Sequence, residues 1–190
     1  MGLLDDRLKG RRGVVVLIVT GVIAAVAAAA IVAWSDDTED AAPNRPRDKL
    51  VEVVSRAGDF AVSAPDVLVG DQVGRGVKLT SQNDDLVITV APSSEAGLRA
   101  GHAATLDVIR GTYPEMRVDR EVGTTMGGLE ARRSVGVVRR ARGDQVLFSV
   151  TTAAQGRRTW SVVLFAARDI DPARLERFYQ PVLDGFRVLR

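Results

Sequence analysis

The apolar pattern begins with one uninterrupted block. Val14 to Trp34 run 21 positions without a charge, broken only by Thr20 and Gly21. At about 1.5 Å rise per residue this is roughly 31 Å of helix, the thickness of a bilayer hydrocarbon core. The block predicts a transmembrane helix. Apolar regions of signal peptides span only about 7–15 residues, so the length favours an uncleaved anchor over a cleaved leader. Residues 35–47 carry Pro43, Asn44 and Pro46 among charged and small residues, with no apolar period, and read as a linker. The 143 residues from 48 to 190 then read as one domain with its own core.

Within that domain the period alternates between two and three to four. Phe60, Val62 and Ala64 alternate with polar or small neighbours up to Pro65, a short strand. Val77–Thr80 and Leu86–Val90 flank the polar run Ser81-Gln82-Asn83-Asp84-Asp85, a hairpin closed by Pro92. From Ser93 to Arg110, Leu98, Ala103, Leu106 and Ile109 share a helical face. Ser93 or Ser94 would cap that helix, and Tyr113-Pro114 would end it.

Gly127-Gly128, Gly143-Asp144 and Gln155-Gly156 then punctuate strands of about ten residues, a β-meander. A two-residue loop at Gly143-Asp144 pairs Val137 with Val150 and Val135 with Thr152, with Val146 and Phe148 on the same face. A two-residue loop at Gln155-Gly156 carries that face into Ser161, Val163, Phe165 and Ala167. The last strand is apolar on its other face too, through Trp160, Val162 and Leu164, with Leu147 across from Leu164. A strand apolar on both faces is covered on both. Asp171 as N-cap and Pro172 at the first helical position open a second helix. Its stripe is Leu175, Phe178, Val182 and Leu183. Pro181 should kink or shorten it, Gly185 should end it, and residues 186–189 can add a last strand. The expected class is α+β: an α/β/α sandwich around a largely antiparallel meander sheet, with Trp160 buried under a helix and one transmembrane helix in front.

Several stretches together resemble a known family. They are Phe60-Ala61-Val62-Ser63-Ala64-Pro65, Ile88-Thr89-Val90-Ala91-Pro92, Tyr113-Pro114, Gly128-Leu129-Glu130-Ala131-Arg132-Arg133 and the closing run from Phe178 to Leu189. From about Asp59 to Arg190 the chain is similar to the PsbP-like fold and, within it, to LpqN-type envelope proteins of actinobacteria. The resemblance implies a non-enzymatic binding or assembly factor. LpqN-type proteins carry a lipid on a cysteine. This chain has no cysteine and an apolar run instead.

Charge supplies orientation. Arg7, Lys9, Arg11 and Arg12 precede the apolar run, and Asp36, Asp37, Glu39 and Asp40 follow it. Basic flanks stay inside, so residues 1–13 are expected in the cytoplasm and 48–190 outside, with Trp34 at the outer interface. Arg11-Arg12 also matches a twin-arginine signal, but Gly13 and Val14 do not continue that pattern. Gly21, Ala25, Ala29 and Ala33 place small side chains on one helix face, which permits close approach of two helices, although the segment is alanine-rich throughout. The whole chain has 26 basic and 24 acidic residues. Without the four basic and two acidic of the tail, and the two basic and four acidic of the linker, the outer domain keeps 20 and 18. That balance argues against nucleic acid as a partner. The abundance of Arg, Ala, Val and Gly suggests a high-GC bacterial source.

Candidate chemistry is sparse. Without cysteine there is no disulfide, thiolate metal site or cysteine nucleophile. His102 is the one histidine and has no evident partners, so a surface or packing role is expected rather than catalysis. Asp84-Asp85 lacks the spacing of a calcium loop and reads as solvated charge. Gly70–Gly76 lacks the Lys-Ser or Lys-Thr of a phosphate loop. Arg142-Gly143-Asp144 matches an adhesion tripeptide, but a tight turn accounts for it. Arg132, Arg133, Arg139, Arg140, Arg142, Arg157 and Arg158 gather at the meander's strand ends, where they either face an anionic head group or acidic partner or guard the sheet edge. Arg132, Arg140 and Arg142 share one face in the register above and are the expected partner or lipid contacts. The expected function is a membrane-anchored, extracytoplasmic accessory or binding module for a cell-envelope complex. It would be non-catalytic and without a cofactor, with an envelope protein or lipid as partner. A lipid or apolar-ligand carrier is the alternative, and a hydrolase a third reading.

Overall fold

The computed structural model describes residues 49–141 and 143–189. The expected cytoplasmic tail, transmembrane helix and linker, together with Arg142, lie outside them. Among the described residues no helix is long and apolar enough to cross a membrane.

The main sheet has seven antiparallel strands in the order β3-β4-β5-β9-β8-β7-β6. These are β3 (Val69–Val73), β4 (Gly76–Thr80), β5 (Leu86–Pro92), β6 (Arg117–Met126), β7 (Leu129–Arg139), β8 (Gln145–Gln155) and β9 (Arg158–Ala167). A second sheet of three strands joins β1 (Leu50–Ser55), β2 (Phe60–Pro65) and β10 (Arg187–Val188). Helix α1 (Leu98–Thr112) lies on one face of the large sheet, and α2 (Pro172–Asp184) on the other with the small sheet. A helix thus covers each face of a largely antiparallel sheet, as expected, and the small sheet shares the layer of α2.

The two-faced strand is the centre of the molecule. In β9, Trp160, Val162, Leu164 and Ala166 enter one core with β2, β4, β5 and α2. Val163 and Phe165 enter the other with Val146, Phe148, Val150 and the α1 residues Leu106 and Ile109. Trp160 is 1% exposed, as a strand apolar on both faces requires. Its indole Nε1 donates to the Gly58 carbonyl at 2.9 Å, and its ring tilts against Phe186 at 5.7 Å, so the β1–β2 turn and the chain leading into β10 form its cover.

Two hairpin registers differ from the expected ones, with different consequences. In β8–β9 the loop is Gly156-Arg157 and Gln155 pairs with Arg158, a shift of two that keeps every side chain on its face. Leu147 consequently meets Ala166 rather than Leu164. In β7–β8 the loop spans residues 140–144. Arg140 N–H donates to the Asp144 carbonyl at 2.9 Å, Gly143 N–H donates to the Arg140 carbonyl at 2.9 Å, and Arg139 pairs with Gln145. That shift of three is odd, so all of β7 turns over. Val138, Gly136 and Ser134 now lie beside Val146, Phe148 and Val150, and Val135 and Val137 go to the opposite face.

Other boundaries moved for local reasons. Ser93 does not cap α1, because its N–H is bonded to the Thr159 carbonyl at 2.8 Å as an extension of the β5–β9 ladder. The helix instead starts after Gly97. Asp171 does cap α2, accepting from Ala173 N–H at 3.0 Å, and the helix runs one turn past Pro181 to Asp184. Residues 70–76 are the β3–β4 hairpin. Asp85 is not solvated charge. It holds Arg174 of α2 at 2.6 Å and accepts from Ser81 Oγ at 2.6 Å, tying the β4–β5 loop to the helix.

Candidate functional site

Two groupings of side chains invite a chemical reading. The first is a buried polar chain under α1. His102, 3% exposed, contacts Ser134 Oγ through Nε2 at 2.8 Å and Thr152 Oγ1 through Nδ1 at 3.1 Å. Thr152 in turn meets Ser161 Oγ at 2.8 Å, Ser161 meets Thr105 Oγ1 at 2.9 Å, and Thr105 donates to the Gly101 carbonyl at 3.0 Å. A carbonyl can only accept, and each hydroxyl has one proton. Thr105 spends its proton on Gly101, so Ser161 donates to Thr105 and Thr152 donates to Ser161. Thr152 must then accept from Nδ1–H, and in the neutral ring Nε2 accepts the Ser134 proton.

A serine whose proton points at an imidazole Nε2 has the arrangement of a nucleophile and its base. Ser134 is 0% exposed, though, and α1 closes over the pair. In this structure the chain forms a buried polar seam between helix and sheet. Burial lowers the His102 pKa from its ordinary value, with a smaller opposing effect of Glu121 and a reinforcing one of Arg132. Of the surface or packing role expected for His102, the structure shows packing, through polar contacts.

The second grouping is the helix-free corner of the large sheet. Helix α2 packs with β9 and the Met126 end of β6–β7 and reaches β8 through the Tyr179 hydroxyl, and its core takes in no residue of β6 or β7 near Arg117. On that open face β6 and β7 alternate charge and apolarity. Arg117 pairs with Val137, Arg120 with Val135, and Val122 with Arg133, and Val137 next faces half-buried Leu147 on β8. The bulge between Val118 and Arg120 puts Arg117 and Arg120 on the same side. Val122, Val135 and Val137 belong to neither core. Arg117 is held by Asp119 at 2.8 Å and Arg139 by Glu115 at 3.3 Å. Arg133 lies over the Tyr179 ring at 5.0 Å and donates Nε–H to Ser149 Oγ at 3.1 Å. Among the described residues neither Arg120 nor Arg133 has a carboxylate partner. A shallow cleft of 130 Å³ between Arg117, Val137, Arg139 and Gln145 dents this corner.

The arginines expected as contacts are placed elsewhere. Arg132 lies on the α1 face, one-third exposed and paired with Glu121. The Arg140 side chain is 9% exposed and pairs with Asp144 at 3.2 Å in the β7–β8 loop. Arg142 lies outside the described residues. The structure does not bring Arg132 and Arg140 into one exposed patch. Arg117 and Arg120 were missed because the bulge that aligns them leaves no mark in the sequence.

No protein-family model matches the chain, and no curated protein sequence matches it. The fold itself has solved counterparts. LpqN of Mycobacterium tuberculosis, described as involved in cell envelope biogenesis, matches with a TM-score of 0.53 at 12% identity, over 76% of this chain and 93% of that one. The cyanobacterial PsbP of Synechocystis matches with a TM-score of 0.51 at 13% identity, over 79% and 98%. A Bacteroides thetaiotaomicron protein matches with a TM-score of 0.52 at 8% identity over 73% of this chain, which spans 48% of that protein's length. The architecture is PsbP-like.

Proposed function

We propose that the protein is a membrane-anchored, extracytoplasmic accessory or binding module of a cell-envelope complex, without catalysis of its own. One observation carries this reading: a PsbP-like domain, shared in fold with an envelope-biogenesis protein, follows a 21-residue uncharged apolar run with arginines before it and aspartates after it. The sealed Ser134–His102 pair supports the non-catalytic part.

Cross-linking in intact membranes, followed by mass spectrometry of the purified protein, tests it. The expected result is cross-links from the 49–189 domain to a membrane-embedded envelope protein. Stoichiometric lipid extracted from the purified protein, with no cross-linked protein, would replace the reading by a carrier. Ester turnover abolished by Ser134→Ala in a still-folded protein would replace it by a hydrolase.

A further inference from the structure

We propose that β6 is an acceptor edge for an extended acidic segment of a partner protein, which adds to the sheet as an eighth strand beside the arginine–valine corner. The inference deepens the binding-module reading and rests on it. Edge strands expose unpaired N–H and C=O groups, and proteins commonly shorten them, cover them or interrupt them. The two edges of this sheet are treated differently. β3 is five residues long and is crossed by β1, with the Gln72 side chain donating to the Val54 carbonyl at 2.8 Å. β6 is ten residues long and has neither proline nor lysine. Its backbone pairs only with β7 among the described residues. The single bulge at Asp119 leaves residues 120–126 in regular register.

The side chains along this edge say what would fit. Arg120, Val122 and Thr124 point to the corner face, beside Val135, Arg133 and Ala131. Glu121, Gly123 and Thr125 point to the α1 face, where Glu121 is already paired with Arg132. An added strand would therefore set a carboxylate against Arg120 and apolar groups against Val122 and Thr124 on one face. On the other face it would carry neutral polar groups. This is β-strand addition, with main-chain bonds providing affinity and alternate side chains providing specificity. A second copy is disfavoured as occupant, because antiparallel self-pairing of β6 over residues 120–126 would set Met126, not a carboxylate, against Arg120. A bilayer offers carboxylate or phosphate charge but cannot complete a strand ladder.

The test uses the full chain in detergent and the synthetic peptide Val-Thr-Val-Thr-Glu-Thr-Glu, with amide hydrogen exchange as readout. The expected result is slowed exchange in residues 120–126 and unchanged exchange in β3. Arg120→Glu should weaken peptide binding about tenfold or more, whereas Arg120→Lys should retain most of it. A peptide N-methylated at alternate amides should not bind, which separates strand addition from simple charge attraction. Five outcomes would overturn the proposal. These are unchanged β6 exchange at millimolar peptide, equal protection by a peptide with lysines in place of the glutamates, and protection by anionic phospholipid vesicles but not by peptide. The fourth is protein-concentration-dependent protection without peptide, which would make a second copy the occupant. The last is protection without peptide that is lost when Asp36, Asp37, Glu39 and Asp40 become amides, which would make the chain's own linker the occupant. None of these depends on where the protein resides, so a failure here leaves the envelope reading standing, and failure of that reading is seen in cells.

Discussion

His102 shows how much a single residue can contribute without touching a ligand. Its two ring nitrogens close a hydrogen-bonded chain between α1 and the sheet, and burial favours the neutral ring there. The sign of the pH effect follows. The unfolded chain takes a proton on this histidine near its ordinary pKa of about 6.5, while the folded chain resists until lower pH. The stability contributed by the neutral ring is complete above that range and is lost as pH falls through it toward the lowered folded value. Urea unfolding from pH 8 to pH 5 should therefore show a steeper loss in the wild type than in His102→Gln. Parallel curves would contradict the buried neutral ring. His102→Ala should cost about 2–4 kcal/mol, because it strands two buried hydroxyls. Trp160→Ala should cost about 3–5 kcal/mol in the same assay, and a near-neutral result would contradict the packing against Phe186 and the Gly58 carbonyl.

The hairpins divide into those the sequence could position and those it could not. Gly127 and Gly128 form a two-residue turn with φ of 56° and 77°, the backbone their type requires, at the place the glycine pair marks in the sequence, and Met126 pairs with Leu129 across it. These glycines are not equivalent. A Cβ on Gly128 meets nothing, so Gly128→Ala should cost only the left-handed backbone penalty, about 1–2 kcal/mol. A Cβ on Gly127 would fall against the Phe186 carbonyl, so Gly127→Ala should cost clearly more; thermal melts compare the two. Gly143-Asp144 looks like the same kind of signal. There the Arg140–Asp144 ion pair and the five-residue loop decided the register, and loop length is invisible in an alternating pattern that pairs well at either shift. The shift of three puts Arg132 on the α1 side of the sheet and Arg133 on the other. Both faces of β9 were legible because its apolar residues leave no exposed alternative. β1 and β3 were missed because Leu50, Val51 and Val69 are exposed edge residues without a clear period. The corrected faces carry a prediction. Arg132→Gln should leave partner cross-linking intact, whereas Arg133→Gln should weaken it, and the reverse ranking would restore the α1 face as the contact surface.

At the scale of the whole molecule, the domain is a slab with a closed interior and one uncovered corner, and its reading as an outward-facing module depends on which side of a membrane that slab lies. The chain has no cysteine, so single introduced thiols report topology without background. Gln155→Cys sits at the exposed tip of the β8–β9 hairpin, away from both cores, and Asp6→Cys sits in the basic tail. Each variant is treated in intact cells with a membrane-impermeant maleimide, before and after permeabilisation. An outward-facing domain predicts labelling of Gln155→Cys in intact cells and of Asp6→Cys only after permeabilisation. Labelling of Gln155→Cys only after permeabilisation would contradict it.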